Sequence, residues 1–582
     1  MASTMILLRR CGVDLAAVIV LCSIAGCVWS GEDKKRYDLG VDATAHPLAK
    51  SAAFRDTIGS LGYFDGLGPM RVRGYGLVVG LGKNGSSDCP RRVYGRLVQS
   101  IYKQHQFRSN VVGTKGISPE QLIADLDTAV VVVQGEVPPV AVRGERFDVV
   151  VTALPGTQTK SLRGGRLFTA DLQVYRPFPS GVAIMGQVLA QAAGPVFLNP
   201  FSGGDAATES NPLEGVVVGG GGVMKDRRLR FVLNTPSYRL VRKTQDRINA
   251  RFTSPRKIAD AVSPSFVQIE LPVEYHGAAG HFLDLVKALF LSRDPQFEAT
   301  RARKLAEEML RPGAPHARIA LCLEGLGRSA LGVLDELYAH RDDDVSFHAS
   351  VAGLRLGDHV ACDRLVLHAE EDHGSHRFQA IRALAEAKGM ATAAIALRGL
   401  LNDTDPRVQV AAYEALLKRN DRTIASKGIA QDNFLLDLVP TSSNKFVYVK
   451  RTGSRRIALF GTDLRCQPPL LYRSPDGSIT MNAATGAKTL TILRTVVASG
   501  TTSSPMSAPF ALPRLIELLG KQAAVDVDGT PLGLGLDYGA IVRALYQLAH
   551  AESINARFIL EQPNASELFG PTRPAGRPES EL

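Results

Sequence analysis

Long apolar runs are scarce in this 582-residue chain, and only Leu15 to Ala25, 11 residues, stands out. A helix that crosses a bilayer needs about 18 or more consecutive apolar residues, so no later segment reads as a membrane span. Cysteine is also sparse. Of seven, Cys11 and Cys22 fall in the first 26 residues and Cys27 follows at once, leaving Cys89, Cys322, Cys362 and Cys466, spaced by 233, 40 and 104 residues. No C-x-x-C pair or zinc-ligand spacing arises from these, while three full disulfide pairings and buried free thiols all remain open. No G-x-S-x-G, H-E-x-x-H or Ser-x-x-Lys motif stands in a supporting context, and no carboxylate pair rises above ordinary surface charge. The sequence therefore nominates no catalytic and no cofactor-binding residue. Charge of one sign is in mild excess only, with 68 Lys and Arg against 57 Asp and Glu, a net +11. The basic residues read as scattered rather than gathered with aromatics, which argues against a nucleic-acid partner.

What is present is the composition of a globular protein, 45% hydrophobic and 21% charged, with 55 Gly and 32 Pro to supply turns. At roughly 100 to 200 residues per domain, the length predicts about three to five domains. Arg9 and Arg10 precede the short apolar run, and Ile24-Ala25-Gly26-Cys27 follows it. Basic residues, then an apolar stretch too short to span, then small residues make a signal peptide over 1–26. The small pair before cysteine resembles a bacterial lipobox, so cleavage after Gly26 and lipidation at Cys27 are expected. Removing Arg9, Arg10 and Asp14 takes away a net +1 and leaves +10 on the mature chain.

Residues 27–52 are polar without a sustained period and read as a spacer. From Phe54 the texture is short Val-rich runs bounded by glycine, such as Ala129 to Val133 and Phe147 to Val151, which are strand signals. Leu229, Phe231 and Leu233 alternate with polar residues, Tyr238 to Arg251 is helix-compatible, and Ser265 to Leu271 is strand-like again. Residues 53–295 are thus an α+β region with a strong strand component. Over 296–432 the texture becomes Ala, Leu, Arg and Glu, and Gly325-Leu326, Gly353-Leu354, Ala383-Leu384 and Ala415-Leu416 recur at 28, 30 and 32 residues. Asp405-Pro406 reads as a helix start. This block is similar to HEAT-type repeats and predicts an α-solenoid, with a plain helical bundle as the alternative. Strand texture returns in 433–568, where Phe446 to Val449 and Ile457 to Phe460 flank the hairpin-like Arg451-Thr452-Gly453-Ser454. Leu512 to Leu519 reads as a helix, and Asp537 as the N-cap of the last one. The proline-bearing tail 569–582 has the composition of a disordered end.

Two clusters invite chemistry and are given bland readings. Gly80-Leu81-Gly82-Lys83-Asn84-Gly85 matches G-x-G-x-x-G after a strand, but Pro90 intervenes before the next helix and no acidic residue follows at about 20 positions, so it reads as a turn. His368, Glu370, Glu371, Asp372, His373 and His376 could ligate a metal, yet they fall between repeats and read as a solvated cap; no metal ligand is assigned.

The sequence Arg73-Gly74-Tyr75-Gly76-Leu77-Val78-Val79-Gly80-Leu81 resembles the G-x-G-L-V-x-G-L signature of bacterial flagellar P-ring proteins. Further resemblances follow in order: Val130 to Arg143 with Gly144 and Phe147-Asp148-Val149, Ser161 to Leu167 (S-L-R-G-G-R-L), Gln191 to Pro195, and Arg451-Thr452-Gly453. The helical block has no counterpart in that pattern and reads as an insertion between Leu291 and Asn444. The fold class expected is α+β, strand-rich P-ring-like regions interrupted by a HEAT-like helical insertion. The resemblance implies a structural subunit and no enzyme, forming a homo-oligomeric ring in the periplasm around the flagellar rod at the level of peptidoglycan, in company with rod and L-ring proteins and needed for motility. The helical block would project as an arm for a protein partner, and lipidation would hold the chain to the outer membrane. The alternative is a lipid-anchored envelope scaffold that uses the same oligomerisation region.

Overall fold

The valine-rich runs of the first half become the staves of a closed barrel. The protein is represented by a computed structural model, which describes residues 54–105, 118–177, 183–198, 211–252, 256–430, 433–474, 477–496, 501–502, 505–522 and 533–561. The signal segment 1–26, the spacer 27–52 with Cys27, and the tail 569–582 lie outside the described residues. After helix α1 (Ile58–Leu61) and strand β1 (Gly62–Asp65) come β2 (Met70–Val79), β3 (Ala129–Val137), β4 (Arg146–Ala153), β5 (Arg166–Pro177), β6 (Ala183–Pro195) and β7 (Glu214–Val223). These six close in the order β2-β3-β4-β7-β6-β5, every pair antiparallel. Val72, Val131, Val133, Val151, Leu172 and Val217 fill the interior. The run in β3 is apolar without alternation because both faces are covered. Val130 points outward, where helices α2 (Arg91–His105) and α3 (Pro119–Ile123) pack Leu97, Ile101 and Leu122 beside it.

The next unit is a two-layer sandwich. Strands β8 (Leu229–Leu233), β9 (Ala259–Ser263) and β10 (Phe266–Ile269) join β1 in the antiparallel order β1-β8-β10-β9. Leu229, Phe231, Leu233, Val267 and Ile269 bury one face against α4 (Tyr238–Arg251) and α5 (Ala279–Ala288). The Arg227 guanidinium donates to the carbonyls of Val137, Pro138, Gly66 and Gly68 and so fastens barrel to sandwich.

Eight helices follow: α6 (Pro295–Met309), α7 (His316–Leu326), α8 (Leu331–Tyr338), α9 (Asp343–Arg355), α10 (His359–Glu370), α11 (Arg377–Leu384), α12 (Ala391–Gly399) and α13 (Pro406–Lys418). Helix α6 packs on α7, a 3-10 turn (Gly327–Ala330) links α7 to α8, and from α8 onward each helix touches the next, while α6, α8, α10 and α12 contact one another in turn and α7, α9, α11 and α13 do likewise. Two stacked layers result. The four recurring pairs all fall at the buried C-terminal ends of the second layer's helices. Asp294, Asp342, Asp358 and Asp405 cap α6, α9, α10 and α13 with side-chain oxygens that accept backbone N–H bonds.

Strands β11 (Ala425–Ile429), β12 (Phe434–Val439), β13 (Phe446–Val449) and β14 (Arg456–Phe460) open the last unit. Then come β15 (Leu470–Arg473), β16 (Ile479–Ala483), β17 (Leu490–Val496), β18 (Thr501–Thr502), β19 (Met506–Ala508), α14 (Leu512–Gly520), α15 (Tyr538–His550) and β20 (Arg557–Leu560). A mixed sheet β11-β12-β14-β13-β20 stands beside an antiparallel one, β15-β16-β17-β18, in which β19 also pairs β17. Leu436, Val447 and Leu459 face α14 and α15, and Phe446, Tyr448 and Phe460 face α13.

Two expectations need correction. Strand β11 lies inside the stretch 296–432 read as helical. Four of its five residues are exposed because it is an edge strand, so it carries no apolar signature. The helical block is also not a free arm. Its first helices share a core with Phe54, Ala288 and Phe290, and its last helix shares one with the C-terminal sheet.

Candidate functional site at the barrel rim and the RTG hairpin

The resemblance motifs prove to be close-packing devices. Gly76 sits where a Cβ would crowd Leu167, Ala170 and Val133, and Gly165 where one would meet Val78 and Leu81. Bare backbone at these points lets β2 and β5 seal the barrel. Gln191 Nε2 donates to Asp171 Oδ1 at 2.8 Å across β5 and β6.

Two motifs distant in sequence meet at the barrel rim. Asp148 Oδ1 accepts from Gly219 N at 2.5 Å and Oδ2 from Gly453 N at 3.2 Å. Gly219 has φ +60°, and any Cβ there would run into the Gly453 carbonyl. The hairpin tip is held from behind by Glu561, whose Oε2 accepts from Arg451 N at 2.6 Å, Thr452 N at 2.9 Å and Thr452 Oγ1 at 3.1 Å. Tyr538 Oη lies 2.6 Å from the Lys450 carbonyl and 2.9 Å from that of Arg456, so its single proton serves one or the other. Its ring packs on Phe197 at 5.5 Å, which carries barrel residues into the C-terminal core. Burial raises the Tyr538 phenol above its ordinary range and keeps it a donor. Burial also works against the Lys450 ammonium, but Glu414 and Glu561 outweigh it and raise its pKa.

A second fastening joins α13 to the sheet. The fully buried Asp437 carboxylate accepts from Arg456 at 3.0 and 2.8 Å, from Tyr413 Oη at 2.6 Å and from Ser426 Oγ. Burial, with Asp437 adding to it, raises the Tyr413 phenol far above its usual range. Gln409, fully buried, donates to the Leu401 carbonyl at 2.8 Å and to Thr441 Oγ1 at 3.2 Å.

The other sequence candidates do not assemble a site. Gly80 and Gly82 take positive φ in a turn, and Asp127 accepts from Gly82 N, which leaves no phosphate cradle. His368 Nε2 pairs with Ser346 Oγ at 3.1 Å and His376 Nε2 with Asp344 Oδ1 at 2.7 Å, so the cluster's side chains part company. Among the described residues no group of three His, Cys, Asp or Glu could hold a metal ion. Cys89, Cys322, Cys362 and Cys466 are free thiols, and burial pushes those of Cys322 and Cys466 up to about 12. A cleft of about 150 Å³ beside the hairpin lock is lined by Arg163, Tyr472, Arg494 and Arg543, and another of about 510 Å³ lies beside Arg227. No helix among the described residues is long and apolar enough to cross a membrane. The sequence assigns no role to Glu561 or Tyr538. Asp148 and Gly453 stand in the resemblance motifs, but their pairing across 305 positions has no local signal.

The polar side chains of these two junctions thus fasten the barrel to the C-terminal hairpin and the last helix of the array to the C-terminal sheet. Residues 57–299 match the family model described as flagellar P-ring protein. Through that region the chain is similar to flagellar P-ring proteins. A flagellar P-ring protein of Geobacter metallireducens is 32% identical over 232 residues, 38% of this chain and 57% of that one. One from Rhodopseudomonas palustris is 31% identical over 262 residues, 42% of this chain and 63% of that one. The chain therefore spans about three fifths of the length of these relatives.

Proposed function

We propose that the chain is a structural subunit of the flagellar basal-body P ring and carries out no reaction. Copies assemble in the periplasm into a closed ring around the rod, at the level of the peptidoglycan and next to the L ring, and the ring is needed for motility. The observation that carries this reading is the family match over the barrel and sandwich, joined to the RTG hairpin locked on the same barrel. A bearing needs stiffness, and a closed barrel fixed to its neighbours by polar contacts at its rim supports that reading, since the barrel has no open strand edges of its own. A ring of identical subunits with head-to-tail contacts closes when the rotation per subunit divides a full turn. Export through residues 1–26 and acylation at Cys27 would deliver and hold the chain at the outer membrane. The test is an in-frame deletion imaged by electron tomography of intact cells. Loss of the periplasmic ring around the rod is expected, and intact rings would overturn the assignment.

One observation favours a second reading. The family match ends at residue 299, just inside α6, so the helical block stands outside it. As a HEAT-like insertion with its own protein partner, the block would suit a lipid-anchored envelope scaffold. Rings that persist in the deletion strain, together with loss of a protein that co-purifies through residues 295–418, would support this alternative.

A further inference from the structure

The chain's positive charge is concentrated, which corrects its reading as scattered. Residues 225–260 hold eleven Lys and Arg against three Asp and no Glu, a net +8 of the chain's +11. The structure divides these cations by use. Arg227 is spent on four carbonyls, Arg247 is buried against the carbonyls of Phe290 and Gly325, Arg251 donates to the Glu324 carbonyl, and Arg228 pairs with Glu270. Arg239, Arg242, Lys243, Arg256 and Lys257 are exposed, and no ion pair among the described residues engages them.

Helix α4 explains why that set faces outward. Val241, Thr244 and Ile248 are buried in the sandwich. Gln245 Oε1 accepts from Ala261 N at 2.7 Å, and Asn249 Oδ1 accepts from Ile258 N and Ala259 N at 3.0 Å each, which fixes the helix along strand β9. The remaining side carries Arg239, Arg242 and Lys243, with Tyr238 beside them at 71% exposure. Holding like charges together on a rigid helix costs free energy that folding does not return, since none of the three packs into the core.

We infer that this side of α4, with the exposed Arg256 and Lys257, docks on an anionic lipid surface. Charge complementarity is the first argument, because a polybasic patch gains from each cation near anionic headgroups. Tyr238 adds a ring with an apolar body and a polar tip, the side-chain type that settles at membrane interfaces. The third argument is reach, and it rests in part on the lipid-anchor reading of Cys27. Only 26 residues separate Cys27 from Phe54, roughly 30 Å for a flexible chain. Phe54, the first described residue, shares a core with Phe290, the residue whose carbonyl Arg247 of α4 binds. A single acyl chain binds a bilayer weakly and a polybasic patch supplies the second signal for stable attachment.

The test uses the exported chain carrying Cys27→Ser, which has no acyl group, so failure of the anchor and failure of the patch are read separately. Vesicles of phosphatidylcholine alone are compared with vesicles that also contain phosphatidylglycerol, at low and high salt. Sedimentation with the anionic vesicles only, lost at high salt, is the expected result. Replacing Arg239, Arg242 and Lys243 with Gln should weaken that binding by about fivefold per charge removed. Arg239→Lys with Arg242→Lys should keep it, and unchanged circular dichroism shows that both variants fold. No binding to anionic vesicles, or equal binding to neutral ones, overturns the inference. Binding to purified cell-wall sacculi but not to vesicles also overturns it and assigns the patch to the wall polymer.

Discussion

Asp148 and Gly453 stand 305 residues apart in the chain, yet one carboxylate oxygen accepts the glycine's N–H at 3.2 Å while the other holds Gly219 at 2.5 Å. One side chain thus fastens the barrel rim and the tip of the RTG hairpin together. Removing it takes the acceptor from two backbone donors at a rim where Asp148 and Gly219 are half-buried and Gly453 is exposed. Asp148→Ala should cost about 0.5–1.5 kcal/mol of stability, the net worth of an ordinary hydrogen bond. Asp148→Asn, which keeps one acceptor, should cost less. Denaturant midpoints would check both, and faster amide exchange at residues 451–454, between β13 and β14, than in the native chain should accompany the alanine variant. An unchanged midpoint would show that the lock is dispensable.

Gly219 tests the same contact from the other side. It combines φ +60° with a close approach to the Gly453 carbonyl, so Gly219→Ala meets both backbone strain and collision. A loss of about 1 kcal/mol or more is expected. Gly222 provides the control, since nothing lies nearer than 3.9 Å to a Cβ built there. Thermal unfolding of the two alanine variants should separate them clearly; equal behaviour would mean that the rim yields and the approach is not tight.

These positions show which parts of the molecule could be read from residues alone. Elements with strong local signals were legible: the Asp405-Pro406 start of α13, the Asp537 cap of α15, and the alternation of Leu229, Phe231 and Leu233 in strand β8 all express local propensity. Barrel closure was not, because which strands pair is decided by contacts between distant segments rather than by periodicity. Phe446 to Val449 looked like any apolar run. Its meaning, a strand buried between α13 on one side and α14 with α15 on the other, needed the structure. The lock itself failed to show because Asp148, Gly219, Gly453 and Glu561 each look ordinary locally. The cationic segment was hidden differently, since whole-chain charge averages it away.

The buried Asp437 makes the bond between α13 and the sheet a sensitive point. Arg456, Tyr413 and Ser426 all serve this one carboxylate. Arg456→Met leaves a buried charge without its counter-charge and should cost about 3–5 kcal/mol. Tyr413→Phe removes a single donor and should cost about 1–3 kcal/mol. If the two substitutions are combined, the losses should fall short of their sum because the partners share one acceptor, and a double-mutant cycle measures that difference. Strict additivity would contradict a shared network.

Acid should loosen the helical array before it affects the barrel. His316, His348 and His376 lie in a row, with ring centroids 6.3 and 5.8 Å apart, and Asp344 Oδ1 is 2.7 Å from His376 Nε2. Burial, reinforced by His376 and His316 and opposed by Asp344, lowers His348 from 6.5 to about 4. The folded state therefore prefers this imidazole neutral, while the unfolded chain protonates it near its ordinary value. The sign follows: the contribution to stability is intact above about pH 6.5, declines as pH falls, and is exhausted near pH 4. Denaturant midpoints between pH 7.5 and 4 should fall for the native chain. His348→Gln should flatten that decline, and amide exchange should locate the loss in α7, α9 and α11 while β2 to β7 remain protected. A decline of the same depth in His348→Gln would assign the acid sensitivity to other groups.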